Sequence, residues 1–374
     1  MTTETPNNVL AGVWYAVHMF RMPLFFLLAG FFGRMILERR GFTGFIKDRS
    51  KRIVVPLVLG LPVVMLVTGC AFILGTLAVG GNPRPLEQFH PPSLGAGHRS
   101  LLESVNLIHL WFLCYLIIFY AGALIFGYAC DAIFGPRGGP RGGPQTAADA
   151  AVRFLMRGFW GPVLLALPIA AYYLHSKAWS PWGGLPAPFS IVPDTGALIA
   201  YGLAFGFGWL LHRQQSLIFS LQNRWPLHSL LAVTLWILCR AIVGSTPHWG
   251  PFLTHGALIV YAVAYTVGLW YATFGVIGIA IRFLSSPSPA RRYVADSSYW
   301  LYLMHIPALV FFEALVHPLP LHAVVKYFLA LAGAIPVLLL SYHYLVRFTV
   351  IGATLNGRRH PRTADGTLRP AASG

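Results

Sequence analysis

Charged residues are scarce in this sequence. Asp, Glu, Lys and Arg together make up 10% of the 374 residues, while 56% are hydrophobic, whereas an ordinary soluble domain is about 25% charged. Cysteine is also rare, and its four positions show no CxxC or Cys/His ligand spacing. The composition therefore excludes a soluble globular protein, and the cysteines indicate neither a disulfide framework nor a metal site.

Acidic residues are the scarcest charged group. The chain has 11 of them against 27 Lys and Arg, which gives a formal net charge of +16. A nucleic-acid surface needs its basic residues on one folded face, whereas here they lie between long apolar runs. We therefore expect no nucleic-acid partner and interpret the charge as a signal of membrane topology.

Long apolar runs are what the sequence has in abundance. About 20 apolar residues cross a bilayer as a helix, and nine stretches have about that length: 13–33, 53–79, 107–129, 155–174, 195–211, 227–243, 256–281, 298–316 and 324–346. The sequence predicts an all-α, polytopic transmembrane helix bundle of about nine spans in a lipid bilayer. We expect one domain over 1–346, followed by a basic, disordered cytoplasmic tail over 347–374.

The basic residues predict the orientation, because Lys and Arg near the ends of spans stay cytoplasmic. Alternate loops, starting after the first span and ending with the tail, hold 21 of the 27. The opposite loops hold Arg84, Arg99 and Lys177, and the other 3 lie in or beside spans. We expect the N-terminus outside and the C-terminus inside.

The outer loops 80–106 and 175–194 are rich in proline, glycine, tryptophan and histidine. They carry His90, His98, Trp179 and Trp182. These tryptophans fit either a platform for a sugar or an interfacial aromatic belt, and we favour the belt because it is the common arrangement.

A histidine and an arginine lie inside the first apolar stretch. Ionisable groups in a bilayer are costly, so each is a candidate site. His18 and Arg21 are three residues apart and share one helical face, just before Pro23. The alternative to a functional site is that Arg21 lies near the end of its helix and extends its guanidinium group to the water at the membrane surface.

Two further histidines lie in later stretches. His109 opens the third stretch, with Asn106 one helical turn earlier on the same face. His305 lies deeper in its stretch, with Tyr302 one turn before it and Glu313 two turns after it. A histidine that is buried only for packing is the alternative for each.

A pair of arginines precedes the second stretch. Arg49 and Arg52 stand at positions i and i+3 where we expect a helix to start. Two guanidinium groups on one face match a ligand that carries phosphate, because arginine binds phosphate with two parallel hydrogen bonds. Ordinary positive-inside charge explains the pair equally well.

Four blocks in this order resemble the acyltransferase 3 family of integral membrane proteins, particularly its periplasmic glucan succinyltransferase branch. The first, His18-Met-Phe-Arg-Met-Pro-Leu-Phe-Phe-Leu-Leu-Ala-Gly-Phe-Phe32, is similar to the family's His-x-Phe-Arg-Met-x-x-Phe-Phe-x-x-Ser-Gly-Tyr, with Ala29 in place of serine. The others are Arg49-x-x-Arg52 with the following Pro56, His109-Leu-Trp-Phe-Leu113, and Ser298-x-x-x-Tyr302-Leu-x-His305.

The resemblance implies a membrane-bound O-acyltransferase of the bacterial inner membrane. It would move an acyl group from cytoplasmic acyl-CoA, either succinyl-CoA or acetyl-CoA, to a hydroxyl of a glycan on the outer side, without a bound cofactor or metal. Histidine suits the proton transfer because its unperturbed pKa is about 6.5. We assign His18, Arg21 and His305 to catalysis, Arg49 and Arg52 to the phosphates of CoA, and His109, Trp111, Tyr302 and Glu313 to substrate binding.

The family typically has ten helices in this bundle, and nine are predicted here. The resemblance implies that the missing helix is the first, which carries the histidine taken as the catalytic base. Residues 1–12 contain no such histidine, so either the coding start lies upstream or the chain is a truncated, inactive member. A transporter of an anionic or sugar substrate is the remaining alternative, although we find no internal repeat of the kind common in transporters.

Overall fold

The computed structural model describes residues 7–78, 106–134, 144–176, 179–245, 247–248 and 250–357. Within these ranges the regular elements are helices, and the β-structure consists of an isolated bridge between Asn106 and Ser190. The prediction of an all-α protein is confirmed for this part of the chain.

Eleven α-helices follow one another in the described residues. They are α1 Asn8–Arg49, α2 Val55–Ala78, α3 Trp111–Phe134, α4 Pro144–Arg157, α5 Gly161–His175, α6 Thr195–Leu211, α7 Leu221–Val243, α8 His255–Leu284, α9 Pro289–Val316, α10 Ala323–Ser341 and α11 Val350–Asn356. A π-helical segment, Ser50–Val54, joins α1 to α2, and another, Tyr342–Val346, follows α10. Two 3-10 segments, Pro181–Gly183 and His212–Ser220, flank α6.

The described helices provide 7 candidate membrane spans, or 8 if the bent pair α4 and α5 counts as one. The chain is therefore a multi-pass membrane protein. The first candidate runs from Asn8 to Gly75, over 68 residues, and contains the first predicted stretch and most of the second. It has roughly three times the about 20 residues that cross the apolar layer as a helix. Nine spans and an outside N-terminus stay predictions.

The basic segment 34–52 differs from the prediction. We expected a cytoplasmic loop, but these residues continue α1 into the π-helical segment. The helix is interrupted at Gly41, whose φ of 68° and ψ of −179° are not helical. Arg34 and Glu38, four residues apart, form an ion pair of 2.6 Å along this helix, which offsets part of the cost of placing charges there.

Large apolar side chains cover the outside of several helices. On α2, Val58, Leu59 and Leu66 are all exposed. Such a surface would promote aggregation in water, whereas the acyl chains of a bilayer solvate it. The exposed apolar faces agree with the assignment of these helices to a membrane.

The chain divides into two compact units, and the prediction of a single domain over 1–346 stays a prediction. Unit 1 comprises Met1–Phe45 and Gly97–Ser286, and unit 2 comprises Ile46–Ala96 and Pro287–Gly374. In unit 1, α7 packs along α8 and α5 packs on α8. Helix α1 approaches α6 closely where Gly30 meets the carbonyl of Phe205 and Gly208 meets the carbonyl of Leu27. Glycines at such crossings let helix backbones touch in a membrane.

In unit 2, α9 packs against α2 and α10. The contact includes Gly75 against Ala314, and Ala71 beside the buried Val310. The tail was expected to be disordered from Arg347 onward, but 350–356 form α11, which packs on both π-helical segments. Residues 358–374 lie outside the described residues.

Candidate functional site

The predicted site residues belong to two different units. His18, Arg21, His109 and Trp111 are in unit 1, whereas Arg49, Arg52, Tyr302, His305 and Glu313 are in unit 2. Six of them belong to two groups that also include other side chains, whereas His109, Trp111 and Glu313 belong to neither group. We name the two groups the His18 cluster (Trp14, His18, Arg21, Trp182 and Arg240) and the His305 cluster (Arg49, Arg52, Tyr299, Tyr302 and His305).

The His18 cluster is built on a stack of rings. The imidazole of His18 stacks on Trp14, one turn earlier in α1, with centroids 4.0 Å apart and planes at 21°. Trp14 also stacks on Trp182, at 5.5 Å and 19°. Arg21 follows one turn later, is exposed, and its charge acts on His18. An imidazole and a guanidinium are therefore presented together on one side of α1, as the spacing predicts.

Arg240 is a member of this cluster that the sequence interpretation missed. Its guanidinium lies 5.6 Å from the ring centre of Trp182 and 5.9 Å from that of Tyr15, within cation–π range. It also donates a hydrogen bond to the carbonyl of Gly244. The signal was present, because Arg240 lies within an apolar stretch just as Arg21 does.

The tryptophans of the 175–194 loop form neither a surface platform nor an interfacial belt. Trp179 is 4% exposed and Trp182 is 2% exposed, so both interpretations are wrong. Trp179 donates through Nε1 to the carbonyl of Gly184 over 2.8 Å. The loop is held down by tyrosine hydroxyls, since Tyr201 donates to the carbonyl of Pro186 over 2.8 Å and Tyr261 donates to that of Pro181. These bonds fix the position of Trp182 beside Trp14.

His109 lies in a turn before α3 and not on a helical face shared with Asn106, which corrects the prediction. The side-chain oxygen of Asn106 accepts a hydrogen bond from the backbone N–H of Ile108 over 2.8 Å. Ile108 has a φ of 50°, a strained conformation for a β-branched residue. The asparagine thus organises a tight turn that presents His109.

Trp111, the first residue of α3, is a packing residue in this structure. Its indole is buried. The ring centre lies 5.5 Å from Tyr201, 5.6 Å from Tyr115 and 6.3 Å from Phe26. These contacts are all with protein side chains of unit 1.

The His305 cluster follows one side of α9, where Tyr299, Tyr302 and His305 are spaced one turn apart. Nδ1 of His305 lies 2.7 Å from the backbone carbonyl of Tyr302. A carbonyl only accepts hydrogen bonds, so Nδ1 carries the proton and the neutral ring has its lone pair on Nε2. Glu313 is exposed near the end of α9. The histidine is thereby held in a form that can accept a proton.

The two arginines differ from the expected start of a helix. Arg49 is the last residue of α1 and Arg52 lies in the π-helical segment, a rare conformation often found at functional sites. The Arg49 side chain is only 17% exposed, and its Nε lies 4.0 Å from Asp48. Tyr299 donates a hydrogen bond to the backbone carbonyl of Arg52. Neither arginine is a freely solvated surface charge, as a pure topology signal would be.

A charge network in unit 1 involves a residue that was assigned to topology. Arg34 is buried, pairs with Glu38, and lies 5.7 Å above the ring of Trp209. Nδ1 of His212 is 3.4 Å from the other oxygen of Glu38. Because Arg34 is buried and paired with Glu38, it packs within unit 1 in addition to any role as a topology signal.

A groove of about 360 Å³ lies between α1, α8 and the 3-10 segment His212–Ser220. Its wall is apolar apart from Gln215, and no predicted site residue lines it. No group of three His, Cys, Asp or Glu side chains is arranged for a metal ion in the described part of the chain.

Comparison with known proteins gives one result. The model of the acyltransferase domain family, acyltransferase 3, matches residues 2–343. No curated protein and no solved structure matches the chain significantly. The match extends over both compact units and contains all the site residues named above. The chain therefore belongs to the acyltransferase 3 family.

Proposed function

We propose that the chain is an integral-membrane O-acyltransferase of the glucan succinyltransferase branch, in the bacterial inner membrane. It takes the acyl group from cytoplasmic acyl-CoA and transfers it to a hydroxyl of a glycan on the outer side. Membership of an acyltransferase family supports the reaction class. The observation that carries the proposed chemistry is the bond between Nδ1 of His305 and the carbonyl of Tyr302.

His305 is proposed as the general base. Its Nε2 accepts the proton of the acceptor hydroxyl while that oxygen attacks the carbonyl carbon of the thioester. The carbon–sulfur bond then breaks, and the departing sulfur of CoA takes the proton from the imidazolium. The carbonyl of Tyr302 keeps the second ring proton in place throughout, in the way that a fixed partner sets the tautomer of a catalytic histidine.

Arg49 and Arg52 are proposed to bind the phosphates of CoA. They belong to the same compact unit as His305. Partial burial and the bond from Tyr299 to the Arg52 backbone limit their motion, so less conformational entropy is lost when phosphate binds. The bidentate geometry of arginine fits this ligand better than a lysine would.

The His18 cluster is proposed to bind an anionic group. Arg21 and Arg240 supply two positive charges, with His18 beside Arg21. Such charges suit the carboxylate of a succinyl group. His109, on its strained turn, and His18 are the second choices for the base.

The test is release of free CoA by purified protein that is given acyl-CoA and a glucan acceptor. We expect release that depends on the acceptor and is lost in His305→Ala. The matched control is His175→Ala, because His175 makes the same bond from Nδ1 to a backbone carbonyl, that of Ala171, over 2.7 Å. Equal loss in both variants would contradict the assignment of the base, and no release by the unaltered protein would contradict the reaction.

A further inference from the structure

Helix α4, Pro144–Arg157, is strongly amphipathic and has one side fixed to unit 1. Val152 and Met156 are buried at that side. Asp149 accepts two hydrogen bonds of 2.9 Å from Arg213, the paired geometry that orients as well as attracts. The buried side chains and the pair of hydrogen bonds therefore hold α4 in place on unit 1.

The exposed side of α4 carries two stripes of different chemistry. Arg153 and Arg157, four residues apart, form a cationic stripe. Ala147, Ala151 and Phe154 follow at helical spacing and form an apolar stripe beside it. The cationic stripe is favourable in water and the apolar stripe is favourable in hydrocarbon. This surface therefore fits the boundary between water and the acyl chains of a bilayer.

The corner after α4 adds aromatic residues to the apolar stripe. Phe154, Phe159 and Trp160 are 54%, 62% and 38% exposed. Nε1 of Trp160 donates to the carbonyl of Phe154 over 3.2 Å, and the ring of Trp160 lies within 5.7 Å of both phenylalanine rings. Exposed aromatic rings beside arginines are typical of the interface of a bilayer.

The direction of α4 agrees with this chemistry. Helices α4 and α5 meet at an angle of 110° across a break of only a few residues. Helix α5 is an apolar helix that packs on the long span α8. A helix nearly perpendicular to such a neighbour runs along the membrane plane, as amphipathic interfacial helices do.

We propose that α4 is an interfacial helix whose cationic stripe binds the phosphates of anionic membrane phospholipids, while the aromatic residues of its corner enter the acyl layer. Arg157 makes no side-chain hydrogen bond to the described residues. Arg153 uses one N–H for Gln214, over 3.2 Å, and has further N–H groups for a headgroup. A free phosphate would leave the exposed rings uncovered, whereas a phospholipid satisfies both stripes. The inference is independent of the proposed reaction.

The depth of the helix is tested with nitroxide labels at single cysteines, in protein in lipid nanodiscs whose four native cysteines are replaced by alanine. We expect a label at Phe154→Cys to collide more with oxygen than with a water-soluble nickel complex, and a label at Arg153→Cys to show the reverse. If both labels favour the nickel complex, α4 lies in water and the proposal is wrong.

The headgroup is tested on the protein with its native cysteines. Phosphatidylglycerol should raise the midpoint of thermal unfolding more than phosphatidylcholine with the same acyl chains. Replacing both stripe arginines, as Arg153→Gln with Arg157→Gln, should weaken phosphatidylglycerol binding about fivefold for each arginine removed. The control, Arg39→Gln with Arg282→Gln, removes the same charge from exposed sites elsewhere in unit 1. Equal loss in both pairs, or equal stabilisation by inorganic phosphate, would overturn a lipid site on α4.

Discussion

The guanidinium of Arg52 lies against the backbone of Gly357, the residue that ends α11. A methyl group placed on Gly357 would be 2.7 Å from Nη2 of Arg52, closer than real contacts allow. Gly357 also has a φ of 74°, a conformation that favours glycine. The contact ties the end of the tail helix to Arg52, the arginine that we propose for the acyl-CoA donor, and we expect the tail helix to lie beside that proposed site.

Gly357→Ala should therefore weaken acyl-CoA binding several-fold, because the added methyl group displaces Arg52. Gly250→Ala is the control, since Gly250 has a φ of 93° but open space around it. Both variants lose stability through backbone strain of about 1–2 kcal/mol, which thermal unfolding measures. Equilibrium binding of acyl-CoA should separate them, and equal affinities would contradict a role for Gly357 in placing Arg52.

Arg49→Ala and Arg52→Ala should each weaken acyl-CoA binding about tenfold or more. The loss of a hydrogen bond to a charged group costs about 1.5–3 kcal/mol. Lysine at either position should restore binding only in part, because an ammonium group lacks the planar fork. The control is Lys47→Ala, an exposed charge in the same segment. If all three alanine variants bind acyl-CoA equally weakly, the segment is a diffuse basic surface.

Tyr299→Phe should lower the free energy of unfolding by about 1 kcal/mol, because it removes the hydroxyl that donates to the Arg52 carbonyl. Acyl-CoA affinity should fall with it, as Arg52 becomes less restrained. Tyr344→Phe is a suitable control because Tyr344 is exposed. Thermal unfolding and acyl-CoA titration of both variants check this, and identical results would show that the Tyr299 hydroxyl does not restrain Arg52.

Gly208→Ala should destabilise unit 1 by about 1–3 kcal/mol, the usual cost of overpacking. Its methyl group would collide with the carbonyl of Leu27 and separate α1 from α6. Gly206→Ala lies in the same helix with nothing within 4 Å, so it should leave the unfolding temperature nearly unchanged. Because alanine favours a helix more than glycine does, a similar drop in both variants would mean that the contact with Leu27 does not cause the effect.

Membrane orientation can be tested on the segments 85–100 and 135–145, of which only residues 144 and 145 lie within the described residues. Because 21 basic residues fall on one predicted side and 3 on the other, single cysteines at 85–100 should react with an impermeant thiol reagent in intact cells. Single cysteines at 135–145 should be protected. Equal labelling of both segments would refute the predicted orientation.

Apolar length was enough to predict a helical membrane protein, because a bilayer leaves few alternatives. The boundaries of the helices were harder to predict from the sequence. The charges of 34–52 suggested a loop, yet the segment is helical apart from the interruption at Gly41, and Arg34 pairs with Glu38 within the helix. The spacing that could have indicated this, i to i+4, is also common by chance.

The environments of single residues were the least predictable part. The loop that carries the buried Trp179 and Trp182 is held by tyrosines about 80 residues away, since Tyr261 donates to the carbonyl of Pro181 and the Tyr265 hydroxyl accepts from the N–H of Leu185. No local sequence pattern indicates such distant partners. The contact of Arg52 with Gly357 is also long-range. By contrast, Asn106 before His109 carries a turn signal that local reasoning could have used.

The shortness of α5 has a consequence for the surrounding lipid. Its 15 residues extend about 22 Å, against an apolar layer of about 30 Å. Hydrophobic mismatch of this size is accommodated by local thinning of the bilayer. Where α5 crosses the bilayer by itself, we expect the bilayer beside the α4–α5 corner to be thinner, and lipids with shorter acyl chains to gather there.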